Sequence, residues 1–133
     1  MAALGAVIAS FLTACQPAKE TQAPAITTGV VMLGPASNYR AGTVSTQFLE
    51  RFGIVVTNDS GTPVVILPIC PRDGGIVAWD PKHNAFVCPK DGSTFDLLGR
   101  PLKSSTQAAL RAMPAVRGAD GELSIDLGKL HAL

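Results

Sequence analysis

Apolar residues in this chain come in short runs, and good helix formers are not clustered. Gly29 to Leu33 (GVVML), Gly53 to Thr57 (GIVVT) and Pro63 to Ile69 (PVVILPI) are rich in β-branched side chains and bounded by turn residues, which predicts strands. Asn58-Asp59-Ser60-Gly61 separates the second run from the third, so those two are expected to form a hairpin. Ile76 to Trp79 and Ala85 to Val87 flank a turn-rich Asp80 to Asn84, and Thr94 to Leu97 is a further short strand before Gly99. Leu123, Ile125 and Leu127 alternate with Ser124 and Asp126, the pattern of a half-buried strand. Gln107 to Met113 reads as one or two helical turns that end before Pro114. No internal repeat stands out. The pattern predicts a small all-β domain with short edges.

The N-terminal stretch breaks this pattern. MAALGAVIASFLTAC has no charge and is almost wholly apolar or small. It falls short of the roughly 20 residues that one spanning helix needs, and fits the apolar core of a secretory signal peptide. Its ending, Leu12-Thr13-Ala14-Cys15, resembles the bacterial lipobox. That resemblance implies cleavage before Cys15 and a diacylglycerol on its thiol, which with further acylation gives stable anchoring. Residues 1–14 are then a signal peptide and 15–27, with two prolines and no apolar periodicity, a lipid-anchored tether. Residues 28–133 make the folded domain. The expected location is the extracytoplasmic face of a bacterial membrane, with membrane lipid as a partner through acylated Cys15.

Composition narrows the function. A length of 133 residues suggests one domain, and a net charge of +1 points to neither nucleic acid nor an acidic partner. Of three cysteines, lipidation of Cys15 leaves Cys70 and Cys88. Outside the cytoplasm two such cysteines are expected to be bonded to each other or to a metal. No nucleophile has a base at a recognisable spacing, so the chain is not expected to be an enzyme, though it could be a non-catalytic subunit of an oxidoreductase complex.

Cys70 and Cys88 each open a loop: Cys70-Pro71-Arg72-Asp73-Gly74-Gly75, and Cys88-Pro89-Lys90-Asp91-Gly92-Ser93-Thr94-Phe95-Asp96. Between them run Trp79 and the turn Asp80 to Asn84, and after them come Gly99, Leu102 and Lys103. This stretch resembles the two cluster-binding loops of Rieske iron–sulfur proteins, C-x-H-x-G-C and C-x-C-H-G-S-x-F-D, with a W-N-P-x-x-N hairpin between. Weaker likeness reaches back to Arg51–Val56 and forward to Asp120–Leu123. The resemblance implies a Rieske-like antiparallel β-sandwich with a small two-loop tip. In that family a [2Fe–2S] cluster is held by two Cys on one iron and two His on the other. By position the Cys ligands correspond to Cys70 and Cys88, and the His ligands to Arg72 and Asp91. The positions of the disulfide that braces the loops in many members are Gly75 and Lys90.

Arginine has no acceptor and is not normally deprotonated, and aspartate is a hard oxygen ligand. The substituted site therefore implies a protein without a cluster. In that reading a Cys70–Cys88 disulfide and an Arg72–Asp91 ion pair replace the cluster, and the chain is an accessory or structural subunit of a respiratory or photosynthetic electron-transfer complex. The alternative is an electron carrier with an atypical [2Fe–2S] cluster on Cys70, Cys88, Arg72 and Asp91. A third possibility is a thiol–disulfide element using the two cysteines, although they do not form a C-x-x-C pair. His83 reads as a solvated turn residue, Trp79 as hairpin packing, and Ser93 as turn support with Gly92. His131 sits near the C-terminus and carries no expectation.

Overall fold

The computed structural model describes residues 26–103 and 108–133. The expected signal peptide, Cys15 and most of the tether lie outside the described residues, as do residues 104–107.

Among the described residues the chain is all-β, as expected, with three antiparallel sheets and two short helices. Strands β1 (Val30–Pro35), β2 (Thr43–Ser45), β3 (Val55–Asn58) and β4 (Pro63–Leu67) come first, with a 3-10 turn at Ala36–Asn38 and helix α1 (Leu49–Phe52) among them. Four short strands follow: β5 (Ala78–Asp80), β6 (Ala85–Val87), β7 (Thr94–Phe95) and β8 (Pro101–Lys103). The chain closes with β9 (Arg111–Pro114), β10 (Val116–Arg117), β11 (Glu122–Asp126) and helix α2 (Leu127–His131). The strand orders are β1-β11-β10, β2-β3-β4-β9 and β5-β6-β7-β8. The third sheet is thus inserted into the chain between two neighbouring strands of the second.

The second sheet is the middle layer. Val56, Val65 and Leu67 on one face join Val31, Leu33, Leu123, Ile125, Leu127 and Leu130 in one core. Val55 and Ile66 on the opposite face join Val77, Phe86, Phe95, Leu110 and the two cysteines in another. Burial on both faces explains why β3 and β4 read as continuous apolar runs rather than alternating ones. The expected hairpin is present, with Val55 opposite Ile66 and Asn58 opposite Pro63. Ile26, at the end of the expected tether, already packs against the first core.

The expected helical turns at Gln107–Met113 are corrected: Arg111–Pro114 is the strand β9, paired along β4 from Val64↔Pro114 to Leu67↔Arg111. Leu110 and Ala112 face one core while Met113 and Ala115 face the other. With apolar residues on both faces, no alternation was visible to mark a strand. The alternating run at the C-terminus is a strand through Asp126, but Leu127 begins α2 instead of extending it. The Asp126 carboxylate caps that helix by accepting from Lys129 N–H at 3.3 Å.

One polar contact joins the layers at depth. Thr57 of β3 donates its hydroxyl to the carbonyl of Leu97, beyond β7, at 2.6 Å in a buried setting.

Candidate functional site

The third sheet ends in a tip made of two loops. The first leaves the middle sheet after Leu67 and returns to β5, its base closed by an isolated bridge between Ile69 and Ile76. The second joins β6 to β7. Both loops close by the same hydrogen bonds. In the first, Cys70 N–H donates to Gly75 O (2.7 Å) and Gly74 N–H to Cys70 O (2.9 Å). In the second, Cys88 N–H donates to Ser93 O (2.8 Å) and Gly92 N–H to Cys88 O (2.9 Å). Gly74 and Gly92 take φ of +75° and +76°, a left-handed conformation that only glycine adopts without strain.

Each loop also folds its aspartate back on itself. Asp73 Oδ1 accepts from Gly75 N–H at 2.7 Å, and Asp91 Oδ1 accepts from Ser93 N–H at 2.9 Å. Both are Asx turns. A Cβ at position 75 would stand 3.0 Å from Asp73 Oδ1, so glycine there leaves the carboxylate its seat. The same Cβ would lie 3.9 Å from Lys90 Cδ, which places position 75 beside Lys90 across the loops. These are the two positions that the Rieske resemblance assigns to a bracing disulfide.

The loops bring four donor groups to one point. Cys70 Sγ, Cys88 Sγ and one carboxylate oxygen each of Asp73 and Asp91 all lie within 4.8 Å of one another. The two sulfurs are buried at the root of the tip and the two carboxylates are exposed at its rim. Cys88 Sγ donates to Asp73 Oδ2 at 3.4 Å, from the second loop to the first.

Arg72, at the first histidine position, is exposed, and Asp73 joins Asp91 beside the two cysteines. The expected Cys70–Cys88 disulfide is not formed in this structure, where both thiols are free. Asp73 supplies Cys88 with an acceptor across the loops.

Asp73 was missed in the sequence, and a signal was available. Residues 70–74 and 88–92 repeat one pattern, Cys-Pro-basic-Asp-Gly, with Arg72 and Lys90 in the third place. Local electrostatics follow the geometry. The Gly75 N–H, and after it the Cys88 thiol and Lys90, hold the Asp73 carboxyl below its ordinary range. Burial pushes the Cys88 thiol above its ordinary value.

The neighbouring residues match their expected roles. His83 is exposed in its turn, with Nδ1 2.6 Å from Asp80 Oδ2, away from the four donors. Trp79 packs edge-on against Phe86 at 5.1 Å between ring centres. Ser93 holds the second loop through its backbone, while its buried hydroxyl has no hydrogen-bond partner. A cleft of about 300 Å³ runs beside the first loop, lined by Leu67, Ile69, Cys70, Pro71, Gly74 and Arg111 among others.

A [2Fe–2S] group does not fit these donors. Terminal ligands of a two-iron cluster sit at its opposite ends, whereas these four atoms close on one point. The residue at the first histidine position, Arg72, has no acceptor to offer an iron.

Two Cys-headed loops over a Trp-bearing hairpin, with position 75 beside Lys90, are the arrangement that the Rieske resemblance implies. No family model and no curated protein matches the chain. Among solved structures it is similar to the cyanobacterial plasma membrane Rieske protein PetC3 from Synechocystis PCC 6803. The identity there is 26 % and the TM-score 0.47, over 54 % of this chain and 75 % of that one. It is also similar to a protein described as the small subunit of an NADH-dependent nitrite reductase from Mycobacterium tuberculosis. There the identity is 17 % and the TM-score 0.45, over 73 % of this chain and 93 % of that one. Among the described residues no helix is long and apolar enough to cross a membrane.

Proposed function

We propose that this chain is a lipid-anchored Rieske-type protein that no longer carries a [2Fe–2S] cluster. In this reading it serves as a non-catalytic accessory subunit of a membrane electron-transfer complex, held to the extracytoplasmic face through acylated Cys15. The observation that carries the proposal is the exchange at the tip. Two acidic oxygens, from Asp73 and Asp91, meet the cysteines, and the first histidine position holds Arg72, which has no acceptor. Such a set lacks the neutral imidazole nitrogens that hold the second iron in a Rieske centre.

A docking role is supported by the rim of the tip. Ile69 and Ile76 are 38 % and 55 % exposed beside the first loop. Apolar side chains gathered next to a structured loop suit a protein interface. The lipobox resemblance supports the anchor, and the Rieske resemblance supports a redox complex as the partner.

The test is to purify the protein without oxygen from a host that builds iron–sulfur clusters, and to measure acid-labile sulfide and visible absorption. The reading predicts neither sulfide nor the coloured cluster bands. About two sulfides per chain would refute it.

A further inference from the structure

We propose that the tip is a mononuclear site for a divalent transition metal, zinc by chemistry, held by Cys70, Asp73, Cys88 and Asp91. This goes beyond the loss of the cluster and rests on separate observations.

The first is the repeat. Each loop is a five-residue knuckle, Cys-Pro-basic-Asp-Gly, closed by the same pair of backbone hydrogen bonds and the same left-handed glycine. A knuckle of this kind presents its first and fourth side chains on one side. Facing two of them produces a four-donor cage with a pseudo-twofold axis.

The second is distance. Zn–S bonds of about 2.3 Å and Zn–O bonds of about 2.0–2.2 Å put the ligand atoms of a tetrahedral ion roughly 3.3–3.8 Å apart. The four donors here lie within 4.8 Å of one another, and the Cys88 Sγ to Asp73 Oδ2 separation is 3.4 Å. A slight contraction of two hinged loops completes the cage.

The third is orientation. Asp73 and Asp91 each anchor one oxygen on a backbone N–H, which fixes the carboxylate plane. For Asp73 this turns Oδ2 toward Cys88. Ligands held by such outer hydrogen bonds are pre-positioned for metal. Ser93, bonded to Cys88 through the backbone, adds a buried hydroxyl donor that has no acceptor in the described structure.

The fourth is charge. Two thiolates and two carboxylates carry four negative charges, and a divalent cation cancels two of them. Lys90, whose charge acts on the Asp73 carboxylate, offsets part of the rest. Two thiolates select zinc-like ions over magnesium, calcium or manganese, and carboxylate oxygens are acceptable zinc ligands. On binding, each thiol gives its proton to solvent as its metal–sulfur bond forms, and nothing is oxidised or reduced. All four donors come from the protein, as in a structural zinc site, so the ion would brace the tip in place of a disulfide.

The test is a Co²⁺ titration of the full chain carrying Cys15→Ser, which removes the third thiol. The expected result is one Co²⁺ per chain, with a thiolate-to-cobalt charge-transfer band and strong visible bands of a tetrahedral site, both erased by Zn²⁺. Asp73→Asn keeps the Asx turn and the fold, checked by circular dichroism, and should weaken binding by about 10-fold or more. Arg72→Ala should retain the tetrahedral spectrum. Absence of the visible bands, or Co²⁺ affinity unchanged in Asp73→Asn, would overturn the proposal. Neither result bears on acid-labile sulfide, so the loss of the cluster and the gain of the ion stand or fall separately.

Discussion

Cys88 reaches across the tip to Asp73, its thiol donating to Oδ2 at 3.4 Å. The bond joins the first residue of one loop to the fourth of the other. It ties the two loops together and orients two of the four converging donors.

The depth of attachment between the tip and the middle sheet is testable at Thr57. Its hydroxyl is the buried partner of the Leu97 carbonyl. Thr57→Val keeps the shape and leaves that carbonyl unsatisfied, which costs about 1–3 kcal/mol. Urea unfolding should show a lower midpoint with an unchanged slope.

Phe86 is buried, and Trp79, the only tryptophan, packs against its edge. Phe86→Ala should cost about 3–5 kcal/mol. Tryptophan emission should shift to the red as the hairpin loosens. An unshifted emission with full stability would show that the hairpin does not depend on this pair.

Alkaline pH should weaken the fold through Tyr39. This buried hydroxyl donates to the Leu33 carbonyl, and burial raises its pKa above the ordinary value. A free tyrosine ionises near about 10. Below that pH the Tyr39 contribution is fully present. Above it the unfolded chain ionises first, and stability falls as pH rises toward the folded value. Unfolding measured from neutral pH to about pH 11 should show this loss, and Tyr39→Phe should flatten it at the expense of a lower plateau.

The exposed apolar rim should matter for assembly and not for folding. Ile76→Ser, at a 55 % exposed position, should change stability by no more than about 0.5 kcal/mol. Under the proposed accessory role, the unaltered protein should migrate with a redox complex in membranes solubilised with mild detergent, and the variant should separate from it. Equal co-migration would remove the rim from the interface.

The sequence showed much of this fold because strands buried on both faces leave dense β-branched runs. Val55-Val56 and Val64-Val65-Ile66-Leu67 are such runs, and the turn Asn58–Gly61 set their pairing. Leu110–Ala115 defeated the same reasoning: its residues also alternate between two cores, but small side chains on both faces hid the strand. At the site, alignment by resemblance pointed to Arg72 because histidine stands third in the first Rieske loop. The structure instead brings the fourth residue, Asp73, to the cysteines, and the repeated Cys-Pro-basic-Asp-Gly pattern was the signal that could have shown it. Cys70 and Cys88 were legible throughout. They stand as separate thiols, and Cys88 donates to Asp73, which sequence reasoning left unplaced.

Native mass spectrometry of the intact protein, isolated without oxygen from cells supplied with iron and zinc, weighs these possibilities in one spectrum. The chain should carry the added mass of a single zinc ion and no sulfide. The mass of two irons with two sulfides would contradict both the loss of the cluster and the single-ion tip.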